Sequence, residues 1–369
     1  MSGRDNEARL KRATAALQAA GVDALLLMPG PDMFYLTGFE HTHAGRRLLG
    51  FLLRADGSHL WIAPAMNVAQ VEATGLAGSA IRGWTDGESY LPALREATSG
   101  LGTLAFDEEA RAEFLMDLQA VSPGVRVEKA SRVMRGLRVR KDAAELELMR
   151  AAGRTVDQTI PEAIALCRPG RTEAEIDEGL RKALLRRSPE SQVAFTIIAG
   201  GPNSAFPHHD TGTRAVQPGD VVILDYGTRL EGYHSDITVT CSAGEPADPE
   251  VRKVYRVVWE AQQKALEVVR PGVPCGEIDR AARGHIEAAG YGEFFLHRTG
   301  HGLGLQIHEP PFLLPGSTEP LEEGMVFSVE PGIYLPGRFG IRLEVIASVA
   351  ADGVSLINEP RASELPVTP

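Results

Sequence analysis

Apolar and polar positions repeat with two different periods along this chain, and the period changes from one segment to the next. Glu7–Ala20 carries its apolar residues at helical spacing, and the apolar run at Asp23–Met28 that follows has strand character. Leu48–Arg54 and Ser58–Ile62 read as strands joined through Ala55, Asp56 and Gly57, a hairpin signal. Helical and strand-like pieces go on alternating through Thr103–Phe106 to about Val133. The pattern predicts an α/β domain over residues 1–133. A basic segment, RGLRVRKD, leads out of it, and 134–142 is expected to be a linker. Asp142 followed by Glu145 then fits a capping box, and Leu146, Met149, Val156 and Ile160 keep helical spacing into a second domain over 143–369.

The second domain carries an internal repeat. Arg168–Asp177 reads RPGRTEAEID and Arg270–Asp279 reads RPGVPCGEID, an offset of 102 residues. Each copy follows a long helical stretch, opens another helix, and is followed by strands. Two related helix–helix–strand halves are expected, with a site between them.

The strands of those halves hold carboxylates where an unpaired charge is costly. Asp225 and Asp236 lie in apolar sequence, ILDYG and SDITV, on either side of a turn expected near Leu230–Glu231. A symmetric hairpin would set them directly opposite, with Cβ atoms about 5 Å apart. Glu330 and Glu344 flank a Pro-Gly turn centred near Gly337 in the same way, and Arg342 shares the face of Glu344. Between the two pairs lies GHGLGLQIHEPP, Gly300–Pro311, with His301 and His308 in a setting too rich in Gly and Pro to be a helix. Two Asp, two Glu and His301 suit a pair of divalent metal ions. So carboxylate-rich a set leans toward Mn2+ or Co2+, with Zn2+ as an alternative.

Bulk properties narrow the class. The chain of 369 residues is 43% apolar and 24% charged, with net charge −11 and pI near 5.5. Its length suggests two domains. An acidic balance argues against nucleic acid or an anionic membrane as partner. The first residues are charged and lack the apolar core of a secretory signal, and no apolar run approaches the roughly 18 residues of a membrane span. Cys167, Cys241 and Cys275 form no CxxC pair. A cytoplasmic protein is expected. Rival motifs fail: HRTGH lacks the Glu of a helical zinc site, and neither a phosphate loop nor a GxSxG elbow is present.

At these motifs the sequence resembles the pita-bread metallopeptidases, in particular the Xaa-Pro dipeptidase (prolidase) and aminopeptidase P group. The resemblance rests on ILDYG, SDIT, GHGLG, SVEPGIY and IRLE and extends over the whole chain. It implies a creatinase-like α/β N-terminal domain, an α+β pita-bread catalytic domain with internal pseudo-twofold duplication, and a homodimer. It places the metal ligands on Asp225, Asp236, His301, Glu330 and Glu344. The substrate-side histidines fall on His208, His297 and His308, with His208 favoured over His209 by its spacing to Asp225. The strand tyrosine and arginine fall on Tyr334 and Arg342. Val239 stands where the family usually has Arg, and Val345 where an acidic residue is more usual.

The implied reaction is hydrolysis of the bond before proline in dipeptides by a hydroxide bridging two metals. Glu330 would be general base and then acid, with His308 and His208 bonding the tetrahedral intermediate and His297, Tyr334 and Arg342 orienting substrate. A dipeptidase must also recognise a free carboxylate, for which Arg46 or Arg47 of the loop HTHAGRR could swing in. The alternatives are an Xaa-Pro aminopeptidase acting on longer peptides, a metal-free creatinase-type hydrolase, and a non-catalytic binding protein of the same fold.

Overall fold

Helix α1 (Asn6–Ala20) begins where the Asp5 carboxylate accepts from the Ala8 N–H and ends where Gly21 turns left-handed. A computed structural model describes residues 5–40, 45 and 47–368, and the chain divides between Arg138 and Val139 into two units. In the first unit α1 is followed by β1 (Ala24–Leu27), α2 (Pro31–Thr37), β2 (Gly50–Arg54), β3 (His59–Pro64), α3 (Val68–Glu72) and β4 (Ala80–Trp84). Then come α4 (Leu91–Thr98), β5 (Thr103–Phe106), α5 (Ala112–Val121), β6 (Arg126–Lys129) and α6 (Ser131–Arg138). The six strands make one sheet in the order β4-β3-β2-β1-β5-β6. Only β2 runs against its neighbours. The hairpin from β2 to β3 turns at Gly57, φ 88°, with Asp56 accepting from the Ser58 N–H. Of the segment 134–142, the part through Arg138 belongs to α6, and the Lys141 N–H already donates to the Gly324 carbonyl of the second unit.

The second unit opens with α7 (Ala143–Leu166), which carries the expected capping box between Asp142 and Glu145. Next come α8 (Glu173–Arg187), β7 (Gln192–Gly200), β8 (Val221–Leu230), β9 (Tyr233–His234) and β10 (Ile237–Ala243). The second half repeats the plan with α9 (Val251–Glu267) and α10 (Cys275–Ala288). Its strands are β11 (Gly300–Gly302), β12 (Glu309–Leu313), β13 (Val326–Val329), β14 (Gly332–Leu335), β15 (Phe339–Arg342), β16 (Val345–Ala350), β17 (Gly353–Leu356) and β18 (Val367–Thr368). Each copy of the RPG repeat is the bend from a long helix to a shorter one, and its glycine, Gly170 or Gly272, takes positive φ.

One sheet runs β18-β10-β8-β7, with β9 on β8, and the other β12-β11-β13-β16-β17. β14 and β15 form a separate ribbon. Helices α7 and α8 cover one face of the first sheet, where Val156, Ile176 and Leu180 pack with Leu224, Tyr226, Ile237 and Val239. Helices α9 and α10 cover the second, with Val258, Ala261, Ile278 and Ile286 against Phe327, Val329 and Val345. Side chains alternate faces along a strand, so Asp225 points away from the helices that bury Leu224 and Tyr226. Among the described residues no helix is long and apolar enough to cross a membrane.

The strands approach closely enough that certain positions admit only glycine. A Cβ on Gly300 would lie 1.9 Å from the Ser328 carbonyl oxygen. That neighbour is backbone and cannot rotate aside. Gly300→Ala is expected to cost roughly 3 kcal/mol and to lower the melting temperature by roughly 5–10 °C. A calorimetric melting curve unchanged from wild type would show that β11 and β13 are free to separate.

Candidate active site

The turn between β8 and β10 decides where the first two carboxylates stand. Thr238, not Asp236, lies opposite Asp225, and Asp236 is two residues nearer the turn. The expectation of a direct Asp–Asp pair is therefore corrected. Glu231 and Gly232 both take positive φ, 45° and 92°, the two-residue turn whose twist matches the strands. The hairpin thus centres on Glu231–Gly232 instead of Leu230–Glu231. A slip of two residues is one full strand period, so Asp236 keeps the face of Asp225, and both line one cavity.

Glu330 and Glu344 do stand opposite one another. The ribbon pairs Gly332 with Arg342 and β13 pairs Val329 with Val345. The glutamates occupy the gap between these ladders. Gln262 of α9, fully buried, fills that gap by donating from Nε2 to the carbonyls of Val329 and Leu343, each at 2.9 Å. His301 comes from β11, its N–H held by Ser328 Oγ at 3.0 Å. Its Nδ1–H donates to the Gly302 carbonyl at 3.1 Å. That contact turns Nε2 toward the acids, 3.2 Å from Glu330 Oε1 and 3.9 Å from Asp236 Oδ2, the tautomer a metal-ligating histidine needs.

Asp236, His301 and Glu344 each offer a ligand atom within 4.8 Å of the others. Burial raises the pKa of Asp236 and Glu344 well above the carboxylate range. Glu344 and Asp225 push Asp236 further, as Glu330 and Asp225 push Glu344. Burial raises Asp225 too, against the pull of Arg342. Glu330 alone goes the other way. Burial opposes its ionisation, but the hydrogen bond and charge of His301, with His297 and Arg342, hold it at about 2. Asp225 Oδ1, Asp236 Oδ1 and Glu344 Oε1 are buried without a hydrogen-bond partner. Orphaned oxygens of three neighbouring acids on one face are what a cation would satisfy. The donor set fits divalent metal.

The two halves are tied across this site. Thr238 Oγ1 of β10 donates to Glu344 Oε2 at 2.8 Å and accepts from Arg342 Nε at 3.1 Å. Arg342 further donates to Pro207 O, to Tyr334 Oη and to Asp225 Oδ2. Tyr334 in turn donates to His297 Nε2 at 2.8 Å, and His297 Nδ1–H donates to the Arg298 carbonyl at 2.7 Å. Every atom of that relay has a partner with His297 neutral, and burial lowers its pKa.

The cavity above the acids holds about 650 Å³, and His208, His297, Arg298, His308 and Arg342 are among its lining residues. His308 sets its ring edge-on to His301, centroids 4.1 Å apart. Burial and the charge of His301 lower its pKa to about 4, so it stays a neutral donor. His208 lines the cavity, whereas the neighbouring His209 turns to Glu173, 2.8 Å away. Val239 packs into the helix-covered core with Leu224 and Ile237, on the face away from the acids, and Val345 is a core residue of β16. Arg46 lies outside the described residues, and Arg47 makes a two-pronged pair with Asp86. Sequence reasoning missed Gln262, Thr238 and Arg298. Thr238 stood inside the SDIT motif and Arg298 inside HRTGH, but nothing in the local sequence singles out Gln262.

Comparison with known proteins gives the family. The profile of Metallopeptidase family M24 matches residues 147–350, and that of the Creatinase/Prolidase N-terminal domain matches 9–140. The crystal structure of dipeptidase PepE from Mycobacterium ulcerans is similar at TM-score 0.93 and 38% identity, covering 100% of both chains. A recombinant prolidase from Thermococcus sibiricus has TM-score 0.94 at 33% identity over 99% of this chain and 100% of its own. The Xaa-Pro dipeptidase of Lactobacillus delbrueckii subsp. lactis is 33% identical over 91% of this chain and 93% of its own.

Metal binding is expected to stabilise the fold in a pH-dependent way. Acids whose folded pKa is raised stabilise the metal-free protein only while protonated, and that contribution is lost as pH rises through the folded value. A cation competes with those protons, so its effect grows with pH. With Mn2+ at 100–1,000 times its Kd, about 3–4 kcal/mol is expected at neutral pH, shrinking toward pH 5. Glu344→Gln should remove most of the increment. Equal thermal shifts at both pH values, or in that variant, would place the ion elsewhere.

Proposed function

The chain belongs to metallopeptidase family M24 and carries the creatinase/prolidase N-terminal domain, and on that premise we propose that it hydrolyses the bond before proline in Xaa-Pro dipeptides. One observation carries the reading. Four carboxylates and His301 share the floor of one cavity, three of those acids with an oxygen left unpartnered, in a chain similar over nearly its whole length to an Xaa-Pro dipeptidase.

The enzyme uses divalent metal, and we propose two Mn2+ ions held by Asp225, Asp236, His301, Glu330 and Glu344. When bound, the metal supplies Lewis acidity that polarises the scissile carbonyl and acidifies a water. Glu330, held ionised beside His301, takes the attacking water's proton and returns it to the leaving imino nitrogen. Neutral His308, with His208 on the same cavity, donates to the oxyanion of the tetrahedral intermediate. The relay from Arg342 through Tyr334 to His297 fixes the wall against which substrate is oriented.

Two measurements test this. With Mn2+-loaded protein, Ala-Pro is expected to be cleaved and Ala-Pro-Ala left intact. Efficient tripeptide cleavage would make the enzyme an Xaa-Pro aminopeptidase. Glu330→Gln is expected to lower kcat by roughly 100- to 10,000-fold, and a variant keeping a tenth of wild-type turnover would refute the proton-transfer role.

A further inference from the structure

We propose that Lys141, through a buried ion pair with Glu309, is a positioning residue for His308. The inference rests on the role given to His308 above, as a donor to the oxyanion. Strands β11 and β12 are joined by residues 303–308, with Gly302 opposite Glu309. His308 ends that connection, and its side chain is open to the cavity. Its ring meets His301 only by an edge. Packing alone therefore does not hold it. A donor that must stand at a set distance from the reacting carbonyl needs its backbone fixed instead.

Glu309 does this from the next position. It is 4% exposed. Its Oε2 accepts from the Gln306 N–H at 3.2 Å, which closes the backbone around Ile307 and His308. Its Oε1 accepts from Lys141 Nζ at 2.8 Å, with both side chains almost fully buried. The pair also lies against the start of the same loop. A Cβ on Gly304 would stand 2.8 Å from Glu309 Oε1 and 2.9 Å from Lys141 Cε. The Gly304 carbonyl accepts from the His234 N–H at 2.8 Å. One charge pair thus pins both ends of the loop that presents His308.

Lys141 can serve as the anchor because its own backbone is held. Its N–H donates to the Gly324 carbonyl at 2.7 Å, and its neighbour Arg140 bridges to Met325, just before β13. Lys141 belongs to the basic segment ahead of α7, and its partner lies 168 residues further on. A buried ion pair is a poor source of stability, since apolar residues of the same volume do as well. What a satisfied buried pair adds is a single arrangement, because any shift that separates the charges is costly. Lys141 is not among the residues lining the cavity, so its influence on the reaction runs through the loop.

The test measures kcat, KM and bound Mn2+ in Lys141→Met, His308→Ala and the two combined. The substrate is Ala-Pro, or Ala-Pro-Ala if that is what the wild type cleaves. His308→Ala is expected to lower kcat roughly 100- to 1,000-fold. Lys141→Met should lower kcat roughly 10- to 100-fold with bound Mn2+ unchanged and KM within ~3-fold. Added to His308→Ala, it should cost less than ~3-fold more, because the group it positions is already gone. If Lys141→Met melts early, Lys141→Met/Glu309→Gln leaves no lone buried charge and repeats the comparison. An equal loss with and without His308 overturns the proposal, as does wild-type kcat in Lys141→Met. Loss of bound Mn2+ overturns it too, by assigning the pair to the metal floor. Each of these results leaves the dipeptidase reading standing. Unchanged kcat in His308→Ala removes the oxyanion role from that residue and this inference with it. A wild type that cleaves neither peptide overturns both the proposed function and the inference.

Discussion

Four carboxylates held on one cavity floor set the terms for the rest of the catalytic unit. Asp225, Asp236 and Glu344 are almost completely buried, and like charges in so small a volume repel strongly once water is excluded. Left alone, the cluster resolves its repulsion by keeping protons. Unpartnered oxygens in such a cluster fit a divalent cation. The scaffold must hold the acids where they are least comfortable, and much of the buried hydrogen bonding near the site serves that end.

The duplication supplies the means. Each half contributes two helices that cover one face of a sheet, leaving the other face free for acids. Neither half completes the site alone. Arg342 from the second reaches Asp225 in the first, and Thr238 from the first reaches Glu344 in the second. These crossed contacts fix the relative position of the two carboxylate pairs more firmly than either sheet could. Gln262 adds a clamp from behind, bonding both strands at the point where their ladder opens to present Glu330 and Glu344. A flexible pair of strands there would let the glutamates drift, and metal geometry tolerates little drift.

The histidines show how one residue type is divided among tasks by its surroundings. His301 has its Nδ1 proton tied to Gly302 and its other nitrogen toward the acids. His297 is locked in a relay with Tyr334 and Arg342. His308 stays neutral against the edge of His301. His209, beside His208 in sequence, is taken up by Glu173. Chemistry alone does not separate these rings, and the contacts each makes with its neighbours do.

Much of the fold was legible because it depends on local periodicity. The capping box at Asp142, the RPG repeat and the alternation in ILDYG and SDITV are short-range signals, and each marks the element it suggested. The facing of Glu330 and Glu344 was legible too, since a turn centred on Gly337 determines its own register. The pairing of Asp225 was not, because the choice between turns one residue apart depends on which backbone positions adopt positive φ, and Glu231 does so despite not being glycine. Gln262 and the Arg342 relay were beyond reach for a different reason. They join residues of distant segments, and only packing decides which donors are used up and which are left free. The sequence by itself determined which acidic and imidazole side chains lie on which faces of which strands, because side-chain type and period two are local properties. The tertiary structure alone decided who bonds to whom across the halves, because those contacts join residues from distant segments of the chain.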